Sequence, residues 1–503
     1  MNRTRNSFYN FSAGVIYAVV LAASGLLATP WLLVWLGPER VGAFKALTDW
    51  IGYLTFFELG MGGAMMAAFA MKIGQEDSAG LSRMIAAGLR VYSIVMLGSL
   101  TAGGALLAAI PIVIPSTDLG SGELRISAAI TLLSLFLTPL LVFRALADAS
   151  QRSYIYWLLL TVQIILITGL SLLMAWAGWG LIGQTLAWTV SQAPALLVLV
   201  WDSVRRYGDT WRVSSNRTDR KILWRLGRST FAHMMAERIG LVSDNIVIAW
   251  ILGPTALAPF FLTQQLVTIA LANLKGISCS TWAGLTELYS RSELVAFRER
   301  LLELTGMISG LGIAILGPVA IYNRFFIRQW IGEGMYAGES VTILACFNTL
   351  IWSVYILWGW VILGTGNIRM WVPYSIGSTM VNIVISVIGT FTIGVIGPLI
   401  GSAASLVLVS WSLPSLLKRL FGISPWELWK AVFIPLRWGA IYLAAMWIFV
   451  NRFPPQGWLE LITMMGIWGC AGVFLWWKLS LGKKDRIEWR ARLRRSVIST
   501  GIS

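Results

Sequence analysis

Charged residues are scarce in this chain. Asp, Glu, Lys and Arg together make up 12% of the 503 residues, whereas hydrophobic residues make up 57%. A water-soluble protein carries charged residues at about twice that frequency. The low charge content therefore excludes an ordinary soluble globular protein.

Cysteine and histidine are also rare. The three cysteines, Cys279, Cys346 and Cys470, stand apart in apolar segments, and His233 is the only histidine. This spacing excludes a disulfide framework and a zinc-binding cluster of cysteines. The sequence also lacks a Walker A motif, an H-E-x-x-H motif and a nucleophile elbow. We therefore expect no enzyme activity, no bound metal and no organic cofactor.

Long apolar runs recur from one end of the chain to the other. A helix needs about 20 predominantly apolar residues to cross a bilayer, and the runs here predict about fourteen such helices. The predicted fold is thus an all-α polytopic membrane protein. The predicted spans are 8–35, 42–70, 83–113, 124–147, 153–177, 179–201, 229–251, 256–281, 300–322, 339–364, 369–393, 395–416, 430–450 and 457–478.

The basic residues predict the orientation of the chain. Most of the 39 Lys and Arg residues fall on one side of these spans, and many of them lie in the loop 205–228 and the tail 478–495. Because cytoplasmic loops are enriched in Lys and Arg, both termini are predicted to be cytoplasmic. The basic loops then set topology and do not indicate a nucleic-acid partner. All external connectors are short, which argues against a membrane glycosyltransferase, polymerase or ligase.

One sequence pattern occurs twice. W-L-G-P-E-R-V-G-A-F (35–44) matches I-L-G-P-T-A-L-A-P-F (251–260), at the first and at the fourth external hairpin. An even number of helices separates the copies, so the pattern predicts two pseudo-symmetric six-helix lobes in parallel orientation, with two further C-terminal helices. The predicted parts are an N-lobe (1–204), a basic cytoplasmic linker (205–228), a C-lobe (229–420), helices 13 and 14 (421–480) and a basic cytoplasmic tail (481–503).

The second predicted helix carries three charges. Lys45 and Asp49 lie one helical turn apart, and Glu58 lies on another face, before the glycine-rich end of the helix. Charges at membrane depth are costly, and pairing is the least costly way to keep two of them there. The Lys45–Asp49 pair fits both a structural pin for the hairpin and a cavity-lining pair.

The seventh predicted helix carries most of its polar residues on one wide face. His233, Glu237 and Asp244 form one stripe, and Arg238 and Asn245 lie on the adjacent stripe. His233 lies near the predicted inner boundary, where polar side chains reach the headgroups. The deeper charges predict a water-filled cavity.

The eighth predicted helix aligns Gln264, Thr268 and Lys275 along one face. Polar contacts between helices would explain the amide and the hydroxyl. Lys275 has no carboxylate within one turn of its own helix. Its partner is therefore expected to be Glu237, Asp244, Glu58 or the anionic group of a ligand.

The sequence resembles the bacterial polysaccharide (O-antigen type) flippases of the multidrug/oligosaccharidyl-lipid/polysaccharide exporter superfamily. The residues that carry the resemblance are L-G-P-E-R-V-G-A-F-K-A-L-T (36–48), G-Y-L (52–54), E-L-G-M-G-G (58–63) and W-I-L-G-P-T-A-L-A-P-F-F-L (250–262). With the helix count and the repeat, the resemblance covers nearly the whole chain.

The resemblance implies a two-lobed transporter that works by alternating access and flips an undecaprenyl-diphosphate-linked oligosaccharide. Surface-polysaccharide polymerase or ligase machinery would then be the partner of this membrane protein. Such a cargo needs cations in the cavity, and the depth and helix face of the charges assign this role to Lys45, Arg238 and Lys275. The candidates for charge pairing, or for coupling to H+ or Na+, are Asp49, Glu58, Glu237 and Asp244. Further polar cavity candidates are His233, Asn245, Gln264 and Thr268. The alternative function is a cation-coupled multidrug antiporter of the same superfamily.

Overall fold

The structure, a computed structural model, describes residues 3–54, 61–115, 119–208 and 243–481, together with single residues 221, 223, 235, 240 and 486. Within these residues the regular elements are helices, and no strand occurs. Nine of these described helices are long and apolar enough to cross a membrane, and a bent helix pair brings the number to ten. The all-α polytopic membrane fold is therefore confirmed.

Each predicted span coincides with helix over the described residues. The first half of the chain forms α1 (Arg3–Leu54), α2 (Met61–Gly74), α3 (Ser78–Val113), α4 (Ser121–Leu133), α5 (Leu141–Ala149), α6 (Ser153–Trp176) and α7 (Gly180–Tyr207). After helical residues 243–251, the second half forms α8 (Pro254–Thr263), α9 (Gln265–Ser290), α10 (Leu294–Ile331), α11 (Glu339–Gly364), α12 (Ile368–Ile393), α13 (Gly397–Phe421), α14 (Pro425–Arg452) and α15 (Trp458–Leu475).

Both predicted Gly-Pro turns are present. Gly37 interrupts α1 with φ 75° and ψ 166°, and Gly253 precedes α8 with φ 84°. Glycine adopts positive φ without the steric cost that a Cβ atom causes. Pro38 and Pro254 follow directly, where the missing N–H costs nothing because the first turn of a helix leaves its N–H groups unpaired.

The shortest predicted connectors are also real breaks. α6 and α7 are separated at Gly178, which has φ 78°, and α12 and α13 are separated at Gly394, which has φ 73°. One connector is shorter than the sequence suggests. The helix α10 continues through Arg324 and Arg328 to Ile331, so that residues 332–338 alone form the connector, with a short 3₁₀ turn.

The chain forms two compact units. The first comprises residues 1–261 and 383–398, and the second comprises residues 262–382 and 399–503. Most of the predicted linker 205–228 and most of the basic tail lie outside the described residues, so the predicted lobe boundaries stay a prediction. The helical residues 243–251 belong to the first unit because they contact the hairpin of α1, as described below.

The second unit is built around α10. In the most apolar 18-residue stretch of α10, 72% of the residues are buried. In the corresponding stretch of Trp458–Ser480, which contains α15, 11% are buried. Buried hydroxyls fix its neighbours: Ser309 donates to the Val432 carbonyl on α14 at 2.9 Å, and Thr305 accepts from the Trp358 indole on α11 at 2.9 Å. The helix α10 thus forms the core against which α9, α11, α14 and α15 pack.

Candidate functional site

The predicted Lys45–Asp49 pair forms within α1. The Nζ of Lys45 lies 2.5 Å from Oδ1 of Asp49, and the two side chains are 32% and 12% exposed. The spacing of four residues places both groups on the same face, one turn apart. The negative charge of Asp49 thus neutralises Lys45 locally, and the pair is the arrangement expected of a structural pin.

Asp49 also joins the two repeated hairpins. Its Oδ2 accepts a hydrogen bond from Nδ2 of Asn245 at 2.8 Å. A few turns away, a Cβ atom on Gly42 would lie 1.9 Å from the Pro254 carbonyl oxygen. Gly42 therefore permits a backbone approach that any other residue would prevent. The two Gly-Pro hairpins, whose relation was inferred from sequence alone, pack directly on each other.

A second ion pair fixes the same end of the first unit. Arg40 donates through Nε and Nη2 to the two Glu123 oxygens at 2.9 and 3.1 Å. Glu123 also accepts from the Leu181 N–H at 2.8 Å, which caps the start of α7. A Cβ atom on Gly180 would lie 2.6 Å from the same carboxylate. This bidentate contact ties α1, α4 and α7 together and was not predicted, because Arg40 and Glu123 lie in different connectors.

Lys275 has a different environment on α9. It lies ten residues after the start of the helix, or about 15 Å along the axis, and its side chain is half-buried. Among the described residues it makes no hydrogen bond and no ion pair. Thr268, two turns earlier on the same face, is exposed and donates to the Gln264 carbonyl at 3.0 Å. The predicted stripe of α9 is thus partly exposed, and Lys275 has no anionic partner among the described residues.

The other flank of α9 lines an apolar groove of about 810 Å³. The groove lies between α9, α10 and α15, and Asn273 is its one amide-bearing side chain. It was not predicted, because its walls come from three helices that are far apart in sequence. The main lining residues are Leu266, Ile269, Ala270, Ile315, Val319, Met465, Val473 and Phe474.

A buried polar network holds the start of α9. The Thr263 carbonyl, at the break before Gln264, accepts from Nδ2 of Asn323 at 2.8 Å. The same Asn323 nitrogen donates to the Thr342 hydroxyl at 3.1 Å, which also contacts the Tyr336 hydroxyl at 3.1 Å. Burial raises the pKa of Tyr336, which keeps that hydroxyl protonated. A helix break inside a membrane needs such partners for its freed backbone groups.

The predicted site residues divide into three sets. Lys45, Asp49 and Asn245 are brought together. Asp244 is the neighbour of Asn245 in the chain. Both Asp244 and Asp49 lie close enough to the Tyr53 hydroxyl on α1 to interact with it electrostatically. Thr268 and Lys275 lie on α9, and Gln264 directly precedes it. Glu58, His233, Glu237 and Arg238 lie outside the described residues, so their predicted roles stay predictions.

The solved structures similar to this chain include a flippase and two multidrug transporters. The lipid II flippase MurJ in an inward closed conformation has a TM-score of 0.69 and 13% identity, covering 94% of this chain and 98% of that one. An inward-facing multidrug resistance MATE family transporter of the MOP superfamily has a TM-score of 0.56 and 16% identity, and the match covers 87% of this chain and 100% of that one. An outward-facing MATE family transporter has a TM-score of 0.52 and 16% identity, and the match covers 86% of this chain and 96% of that one.

The fold is similar to that of MurJ and of the MATE family transporters. No protein-family model matches the sequence, and no curated protein sequence matches it. At these identities the similarity concerns the fold alone. The cargo has to be argued from the residues of this chain.

Proposed function

We propose that this protein flips an undecaprenyl-diphosphate-linked oligosaccharide from the cytoplasmic to the external leaflet of a bacterial inner membrane. The cargo then serves surface-polysaccharide synthesis, where polymerase or ligase machinery uses it. The protein has both termini in the cytoplasm, works by alternating access, and carries coupling protons or sodium ions on its intramembrane carboxylates.

The observation that carries this proposal is the division of α9 into two flanks. One flank presents Lys275, a cation with no partner among the described residues, on an accessible face. The other flank, which includes Leu266 and Ile269, lines the apolar groove. One helix therefore offers a positive charge on one face and a hydrocarbon surface on the opposite face.

A lipid-linked glycan needs both surfaces. Its diphosphate carries negative charge that requires a cation once it leaves water, and charge-assisted hydrogen bonds to phosphate are strong in a dry site. A lysine meets this need as a compact point charge with three donors. The polyisoprenoid chain needs an apolar surface, which the groove supplies at about 25 cal/mol per Å² of buried area. A cargo that lacks either part would leave one flank of α9 unused.

The competing function is a multidrug antiporter, which the similarity to MATE transporters supports at the level of fold. Cationic drugs are selected by acidic cavities and repelled by an unpaired lysine. Lys275 therefore favours an anionic cargo. A glycosyltransferase, polymerase or ligase would need a folded external region. The described connectors 332–338 and 453–457 are too short to form one.

The proposal is tested by complementation of a host strain that lacks the gene. The wild-type protein should restore surface glycan. Lys275→Ala should lower surface glycan at least about tenfold, because a phosphate would lose its charged donor. Lys275→Arg keeps the charge and should retain substantial activity.

Lys418→Ala is the matched control, since Lys418 is an exposed lysine in the last turn of α13. Its glycan level should equal that of the wild type. Each variant is also checked for membrane insertion and abundance by immunoblotting. Full glycan display in the Lys275→Ala strain would exclude Lys275 as the cargo-binding cation. Unchanged glycan in the deletion strain, with increased sensitivity to cationic drugs, would favour the antiporter.

A further inference from the structure

Trp282 lies on the same face of α9 as Lys275. The two residues are seven positions apart in sequence. In an α-helix seven residues complete almost two turns, so the side chains lie on one stripe about 10 Å apart along the axis. Between them on this stripe lies Cys279, which is exposed. The stripe that carries the cation thus continues to an indole ring.

The Trp282 ring is held by its neighbours on α11. Its centroid lies 5.6 Å from that of Trp360, at an interplanar angle of 61°. A Cβ atom on Gly364 would lie 2.9 Å from Cε3 and 3.1 Å from Cζ3 of the same ring. The ring is therefore packed against the bare backbone of Gly364. A side chain fixed in this way loses little entropy when a ligand binds.

Both rings are partly exposed. Trp282 and Trp360 are both half-buried, and Ala283 beside Trp282 is exposed. A Cβ atom on Gly359, next to Trp360, would have no neighbour within 4 Å. The aromatic pair is thus anchored on one side and accessible on the other.

An anchored and accessible indole suits a sugar ring. A pyranose presents a face of polarised C–H groups, and the π-face of an indole carries the complementary negative potential. The indole N–H adds a donor for a hydroxyl or a ring oxygen. In a lipid-linked glycan the first sugar is attached directly to the diphosphate. The order of apolar groove, Lys275 and Trp282 along α9 matches the order of lipid, diphosphate and sugar in such a cargo.

Tryptophan is also common as an anchor at the membrane interface. Such anchors in this chain are strongly exposed: Trp411 on α13 is 81% exposed and Trp426 at the start of α14 is 70% exposed. Trp282 and Trp360 differ because they face each other from two helices and are half covered by them. The two rings therefore pack on each other and keep part of their surface exposed.

We propose that Trp282, supported by Trp360 and Gly364, is a stacking subsite for the sugar ring next to the diphosphate of the cargo. This subsite rests on the proposed function, since it assumes a glycan-bearing diphospholipid. It assigns the two chemical parts of the headgroup to two residues of one helix. Lys275 binds the diphosphate, and Trp282 distinguishes a glycosylated lipid from a bare one.

The test measures binding of two lipids to the full chain in nanodiscs. The probes are undecaprenyl diphosphate and undecaprenyl-diphosphate-linked N-acetylglucosamine, whose pyranose presents the required C–H face. The wild-type protein should bind the glycosylated lipid about tenfold more tightly than the bare one, the value expected for one aromatic stacking contact. Trp282→Ala should remove this preference and leave the affinity for the bare lipid unchanged.

Two further variants separate stacking from structure. Trp282→Phe keeps an aromatic ring and should keep part of the preference, and Trp411→Ala removes an exposed tryptophan and should keep all of it. Three results would overturn the subsite while the proposed function stands. They are a Trp282→Ala variant that still prefers the glycosylated lipid, a Trp282→Ala variant that binds both lipids equally more weakly, and a wild type that binds the two lipids with equal affinity. A wild type that binds neither lipid would overturn the proposed function and the subsite together.

Discussion

The hairpin of α1 and the helix α9 each place a lysine inside an apolar helix, yet the two lysines have opposite surroundings. Lys45 lies 2.5 Å from Asp49, and Asp49 is held in turn by Asn245. Lys275 has neither contact among the described residues. A charge whose partner is built into the protein stabilises packing, whereas a charge without one is available to a ligand. We therefore expect a structural role for the first region and propose a binding role for the second.

One glycine from each region differs in the same way. A Cβ atom on Gly42 would lie 1.9 Å from the Pro254 carbonyl oxygen, whereas one on Gly276, beside Lys275, would meet no atom within 4 Å. The hairpin is thus closely packed at Gly42, and α9 is open at Gly276. Three predictions test this contrast.

The largest expected effect is that of Gly42→Ala. The added methyl group forces the two hairpins apart, which should lower the free energy of unfolding by at least about 2 kcal/mol. Gly276→Ala is the matched change at the open position and should raise that free energy by up to about 1 kcal/mol, since alanine favours the helix. Thermal unfolding of both purified variants measures the two effects. Equal Tm values for the two variants would contradict the packing difference.

A smaller effect is expected at Asp49. Asp49→Ala leaves Lys45 without its partner and should lower the free energy of unfolding by about 1–2 kcal/mol. The double variant Lys45→Ala with Asp49→Ala should be no less stable than Asp49→Ala alone, because the unpaired charge is gone. Thermal unfolding of the two single variants and the double variant gives the coupling energy. If the two single effects simply add, the pair is not a structural pin.

The smallest effect concerns the native cysteines, which report on the two flanks of α9. Cys279 lies one turn from Lys275 and is exposed, Cys346 is buried, and Cys470 lines the apolar groove. An anionic methanethiosulfonate should modify Cys279 fastest, and Lys275→Ala should slow that reaction a few-fold because the attracting charge is lost. Mass spectrometry of the labelled peptides measures the rates. Faster modification of Cys470 by this reagent would place water in the groove instead.

The sequence predicts well what depends on local spacing. The two Gly-Pro turns follow from the conformational limits of glycine and proline, and the Lys45–Asp49 pair follows from the geometry of one helical turn. The shared face of Thr268 and Lys275 follows from the same helical period. These features need no knowledge of how distant parts of the chain meet.

Features that join distant parts of the chain could not be predicted. Asp49 and Asn245 were each identified as polar residues inside helices, but nothing in a single sequence indicates that they share a hydrogen bond. Glu123, which binds Arg40 and caps α7, was not singled out at all. The groove beside α9 has no periodic signal, since α15 contributes its residues more than 170 positions later along the chain. Trp282 had a detectable signal in its seven-residue spacing from Lys275, but the many tryptophans of this chain hid it.

The most direct test of the account compares the two lysines as ligands of the cargo headgroup. The dissociation constant of undecaprenyl diphosphate is measured for the wild type, Lys275→Ala and Lys45→Ala in nanodiscs. The account predicts that Lys275→Ala weakens binding at least about tenfold, while Lys45→Ala changes it by less than about threefold, because Asp49 already neutralises that charge. Unchanged binding in Lys275→Ala, or a larger loss in Lys45→Ala, would contradict the account.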